Sequence, residues 1–160
     1  MPNAVRMTER LHLDRFVPYR LAVLTNIVSM SIANAYEQEF GLTIPEWRVL
    51  AVLARYPNLS AIEVSERAAM DKVAVSRAVQ SLVAAKRVVR SYDKGDRRRS
   101  VLRLSPAGRA VYTRVAPLAL RYERRLLNTL SSNDRRALNR LIGQLIERAR
   151  QIDGNGAVKR

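Results

Sequence analysis

The 160-residue chain contains no cysteine, which excludes disulfides, thiolate metal sites, cysteine nucleophiles and thiol-based redox sensing together. Its one histidine is His12, so a histidine-rich metal site is excluded too, and neither metal nor cofactor is expected. No glycine-rich phosphate loop is present, and acid–base chemistry would rest on scattered carboxylates, so the chain does not read as an enzyme. Residues 1–14 lack the apolar core of a signal segment, and no run approaches the roughly 18 apolar residues of a membrane helix. The expected compartment is the cytoplasm. Internal repeats and an interdomain linker are also missing.

What is present is an ordinary globular mix, 48% hydrophobic and 27% charged, with a strong basic excess of +15. At this length one main core is expected. The charge is uneven: residues 1–20 carry a net +2, 21–70 a net −2, 71–104 a net +7 and 105–160 a net +8. The segment 71–104 is the densest basic stretch, and such an excess favours a polyanion, because neutralising phosphates releases condensed counterions. The plainer alternative is a solvated cationic surface.

Apolar residues recur at three- and four-residue steps over 14–36 and predict a long amphipathic helix closed by Gly41. Pro45 opens a second helix, ending near Tyr56-Pro57, with Trp47, Leu50, Ala51 and Leu53 or Ala54 as its buried stripe. Ser60 with Glu63 forms a capping-box pattern that starts a short helix to about Ala68. Asp71 is the expected N-cap of a fourth helix to about Lys86, with Val75, Ala78, Val79, Leu82 and Val83 on its apolar face and Lys72, Ser76, Arg77 and Gln80 opposite. Residues 87–92 and 100–104, two short stretches rich in Val, Leu and Tyr, then bracket a basic tip, which predicts a β-hairpin. Gly95 allows its tight turn, and Lys94, Arg97, Arg98 and Arg99 would repel one another without a polyanion beside them. Ser105-Pro106 launches a helix to about Leu130, in which Pro117 predicts a kink or break near residues 114–116. Ser131 caps a last helix, and residues 154–160 read as a frayed tail.

A short helix, a tight turn and a second helix with a polar outer face is a helix-turn-helix, and the hairpin after it makes a winged one. The fold class is therefore mainly α with a small β-hairpin wing. At these residues the sequence resembles the MarR family of winged-helix transcription regulators. The resemblance is carried by the stretch from Ser60 to Arg67, by Val75-Ser76-Arg77-Ala78-Val79-Gln80-Ser81-Leu82, by Asp96-Arg97-Arg98 and by Leu104-Ser105-Pro106-Ala107-Gly108, and it extends over about residues 14–152. It implies that Arg98 reaches the minor groove with Asp96 orienting it, and that Ser60, Lys72, Ala74, Ser76, Arg77 and Gln80 lie on or near the DNA, with Lys94, Arg97 and Arg99 adding charge to the wing. Ala69 and Lys86 stand where many relatives have glycine, so the turn and the helix end are expected to differ slightly. Arg77 has a structural alternative, pairing with an acid of the preceding helix, and Arg87, Arg90 and Arg103 read as strand-surface groups.

The first helix and the last two carry apolar stripes with little to bury against in one slim winged helix, and pairing two chains would cover them. The resemblance implies a homodimer in which residues 1–40 form an N-terminal arm and dimerisation helix, 41–108 the winged helix-turn-helix, and 109–160 the C-terminal dimerisation helices, all one intertwined unit. Leu138, Leu141, Leu145, Ile146 and Ile152 are the expected contributors, and dimer burial explains the C-terminal apolar face better than a membrane surface does. Two recognition helices would then meet successive major grooves of a near-palindromic duplex. The resemblance further implies a small aromatic or acidic effector. His12, Tyr19, Arg20, Trp47 and Arg48 are candidates to line its cleft, with Arg121, Arg124 and Arg125 as anion-binding cations, although Trp47 and Tyr19 also read as ordinary core and these arginines as a solvated face. The expected function is a sequence-specific regulator, a repressor released by its ligand. The alternative is a sequence-independent architectural protein that coats DNA by charge.

Overall fold

Side-chain caps set where most of the helices begin. The computed structural model describes residues 10–92, 95 and 100–156, in the order α1 (Val17–Phe40), α2 (Ile44–Arg55), α3 (Ala61–Ala68), α4 (Lys72–Ala84), β1 (Val88–Tyr92), β2 (Ser100–Leu104), α5 (Pro106–Leu127) and α6 (Ser132–Gly156). Thr43 and Ser60 each close a capping box, with Glu46 and Glu63 three residues on. Both pairs satisfy amide groups that a helix start leaves without partners. Asp71 accepts from the Ala74 amide at 2.8 Å, and Ser131 accepts from the Asp134 amide at 3.1 Å. Gly41 ends α1 in the left-handed region at φ 58°, a conformation that costs glycine nothing.

Two compact units divide between Leu118 and Ala119, inside α5. In the first, a single core gathers Tyr36 and Phe40 of α1, Leu42, Val49, Leu50 and Leu53 around α2, Val64 of α3, Val75, Val79 and Leu82 of α4, Val88 and Leu102 of the hairpin, and Val115 of α5. The hairpin is antiparallel, with Val88 opposite Leu104 and Tyr92 opposite Ser100. Leu59 adds an isolated bridge to Leu102, a single-residue third strand that carries no period of its own and was not expected. It ties the start of α3 to the foot of the wing.

Several expectations are corrected. The buried stripe of α2 is Glu46, Val49, Leu50 and Leu53, while Trp47, Ala51 and Ala54 are only half-buried. Glu46 turns inward because it closes the Thr43 cap, and the stripe rotates with it. Val83 is exposed, unlike Val75, Ala78, Val79 and Leu82, the four other residues expected on the apolar face of α4. Helix α5 passes through Pro117 without a break, since one proline removes one backbone bond and the turns on either side continue. Helix α6 continues through residues 154–156, because a glycine weakens a helix by about 1 kcal/mol without forbidding it.

In the second unit, α6 shows Leu138, Leu141, Ile142, Leu145, Ile146 and Ile152 exposed. Much of α1 is equally uncovered, with Leu21, Leu24 and Ile27 about half exposed. No helix among the described residues is long and apolar enough to cross a membrane.

Candidate nucleic-acid interface

Helix α4 is anchored by one face and presents the other. Val75, Ala78, Val79 and Leu82 are buried, and Lys72, Ser76, Arg77 and Gln80 are exposed. Ala74 is half-buried at the edge of the face, its amide taken by Asp71. Arg77 pairs with no carboxylate among the described residues, which removes the structural alternative proposed for it. An arginine without an acid partner, on a rigid helix, keeps all five donors for an outside acceptor. Ser60 is differently engaged: its hydroxyl donates to Glu63 at 2.7 Å and accepts from the Glu63 amide at 3.3 Å. It is first the cap that fixes α3.

Both ends of the turn-and-helix unit use left-handed residues that are not glycine. Ala69 ends α3 at φ 51° and Lys86 follows α4 at φ 57°. Beyond each, a six-residue backbone bond closes the helix end, from the Met70 amide to the Ser65 carbonyl (3.1 Å) and from the Arg87 amide to the Leu82 carbonyl (2.8 Å). This is the closure that glycine usually serves. The departures at 69 and 86 therefore keep the glycine geometry and bear its steric cost.

Arg90 and Arg103 lie exposed on the strands, as expected. Arg87 does not. Its guanidinium reaches from the foot of β1 to donate to the Phe40 carbonyl at 2.7 Å, and its own carbonyl accepts from the Ser105 amide at 3.0 Å. Ser105 donates to the Lys86 carbonyl at 2.7 Å and caps the Gly108 amide at 3.0 Å. The ends of α1 and α4, the wing and the start of α5 meet at this junction. Four of the wing-tip groups, Lys94, Asp96, Arg97 and Arg98, together with Arg99, lie outside the described residues.

The proposed effector residues fall into separate places. His12, Tyr19 and Arg20 are exposed at or before the start of α1, so Tyr19 is not core. Arg48 donates to Ser29 at 3.2 Å, ten residues beyond Tyr19 and thus about 15 Å along the helix axis. Trp47 sits between two rings that sequence reasoning passed over, Tyr36 and Tyr112, each with its centroid 5.8 Å away and the Tyr112 ring stacked at 17°. Within one chain these five residues do not converge. Burial pushes the Tyr36 phenol up to about 12, partly offset by Arg48. A groove of about 280 Å³ opens nearby, lined by Met30, Ala33, Asn34, Glu37 and residues 42–45. Among the described residues its only charged lining group is Glu37, which makes it a poor place for an acidic molecule. No trio of His, Cys, Asp or Glu that could hold a metal ion occurs among the described residues.

A sequence model of the MarR family matches residues 40–99, from the end of α1 through the helix-turn-helix and β1. No protein of curated function matches the chain at a significant level. Among solved structures, the fold is similar to a MarR/EmrR family transcriptional regulator from Acinetobacter sp. ADP1, with 27% identity, 88% of this chain and 99% of that one covered and a TM-score of 0.81. It is also similar to the PcaV transcriptional regulator of Streptomyces coelicolor, solved with its natural ligand, at 24% identity, 89% and 99% coverage and a TM-score of 0.73. The third is BpsR of Bordetella bronchiseptica, whose DNA binding is regulated by 6-hydroxynicotinic acid, at 24% identity, 85% and 96% coverage and a TM-score of 0.74. Residues 40–99 thus carry a MarR-family sequence, and the architecture is that of MarR-family winged-helix transcriptional regulators along nearly the whole of these chains.

Proposed function

We propose that the chain acts in the cytoplasm as a homodimeric, sequence-specific repressor, released from a near-palindromic operator by a small aromatic or acidic ligand. The observation that carries this reading is the outer face of α4, where Lys72, Ser76, Arg77 and Gln80 project from a fully anchored helix. The recognition helix enters the major groove, and Arg98 at the wing tip, with Asp96 orienting it, takes the neighbouring minor groove. The apolar faces of α1 and α6 close the dimer and set the spacing of the two recognition helices. A ligand that prefers a dimer of the wrong spacing lowers DNA affinity by the same factor by which DNA lowers its own. Support for an effector of this chemistry comes from the 6-hydroxynicotinic acid that regulates DNA binding of BpsR, and support for a ligand as such from the ligand-bound PcaV.

The test is binding of the purified protein to the intergenic DNA upstream of its own gene, at near-physiological salt and with excess unrelated duplex. A competitor-resistant complex, dissociated by one of a panel of aromatic acids, is the expected result. A complex erased by competitor supports charge-driven coating of DNA instead.

A further inference from the structure

The exposed face of α4 carries one residue that its anchoring does not explain. Val73, the second residue of the helix, is 60% exposed, whereas Val75 and Val79 of the same helix are fully buried. A β-branched side chain is a poor choice for an exposed helical position, since it loses rotamer freedom without gaining contacts. Its position is also specific. Val73, Arg77 and Gln80 stand at i, i+4 and i+7 and so form one stripe along the middle of the outward face, with Val73 at the N-terminal end, the end that approaches base edges when a recognition helix docks. An isopropyl group there can neither donate nor accept a hydrogen bond. The one base feature in the major groove that matches it is the C5-methyl of thymine.

We infer that Val73 reads a thymine methyl group, one turn of helix ahead of the polar contacts made by Arg77 and Gln80. The inference rests on the repressor reading above and adds a base identity to it: each half-site carries a thymine whose methyl group, not its hydrogen-bonding edge, is recognised.

The full-length protein is used to select sites from a randomised duplex pool. Each thymine of the resulting consensus is then replaced by deoxyuridine, which removes only the methyl, and dissociation constants are measured for the wild type and Val73→Ala. Alanine favours the helix, so the variant folds, and its melting temperature checks this. At one symmetry-related pair of positions, deoxyuridine weakens the wild type about fourfold per half-site, the effect of burying a single methyl, and leaves Val73→Ala unchanged. Equal sensitivity of the two proteins at every thymine, or a consensus with no methyl-sensitive thymine, overturns the assignment of Val73 alone. A pool that yields no consensus overturns the sequence-specific reading on which it rests.

Discussion

Replacing Ala69 by glycine is expected to stabilise the protein, although it removes a methyl group and lengthens no contact. Ala69 holds φ 51° and ψ 49°, where the Cβ of an L-residue crowds the following carbonyl at a cost of about 1–2 kcal/mol. Its side chain is exposed, so no packing is lost. Against the relief stands the greater freedom of glycine in the unfolded chain, about 0.4–1 kcal/mol. The net gain is about 0.5–1 kcal/mol, which for a chain of this size raises the melting temperature by about 2 °C. The measurement is a urea titration with thermal melts at fixed protein concentration, with Ala68→Gly as the control. Ala68 is the last residue of α3, and there the same change costs about 0.5–1 kcal/mol. The two variants, one position apart and chemically identical, should move the midpoint in opposite directions. Shifts of the same sign would refute the argument that the left-handed turn, rather than the residue, sets the outcome.

Gly108→Ala places a Cβ 1.9 Å from the Arg87 carbonyl oxygen, a backbone atom that cannot swing away, so a loss of about 3 kcal/mol is expected; an unchanged urea midpoint would show that the junction yields. Because the Tyr36 phenol is pushed up to about 12 from its usual 10, its contribution is intact below pH 10 and is lost as pH rises from 10 to 12. The difference in stability between wild type and Tyr36→Phe should therefore change by about 2 kcal/mol across that window, and a difference independent of pH would remove the burial argument. Leu145→Asp, on the exposed apolar stripe of α6, should dissociate the proposed dimer, with sedimentation as the readout. Arg98→Ala should weaken operator binding while leaving the melting temperature nearly unchanged; unimpaired affinity would remove the wing from the interface. Raising salt from 50 to 200 mM should lower operator affinity at least roughly tenfold if several phosphates are neutralised.

Locally encoded features were the readable ones. Ser60 with Glu63, Asp71, and Ser105 before Pro106 each announce a helix start within four residues, and the structure uses all three as caps. The polar face of α4 was equally plain from its period. Features that depend on distant partners were not. Nothing within a few residues of Leu59 says that it will pair with Leu102, whereas the cap that turns Glu46 inward is as local as that of Ser60 and is announced by the same spacing, Thr43 with Glu46. Arg87 looked like one more strand cation, because its acceptor lies 47 residues away at the end of α1. For the effector cleft, residue type alone grouped side chains that the length of α1 holds apart, and it overlooked Tyr36 and Tyr112, the rings that Trp47 touches.

The hydrogen bond from Arg87 to Phe40 makes the end of α1 and the foot of the wing one mechanical piece. A charge-assisted bond of this kind is worth about 1.5–3 kcal/mol, the same size as a typical coupling between two binding sites. Any tilt of α1 must either drag the base of the wing and the end of α4 with it or forfeit that energy. The long helix is thus coupled to the face proposed to read DNA twice over, through that guanidinium and through the core that Tyr36 and Phe40 share with α4 and the hairpin.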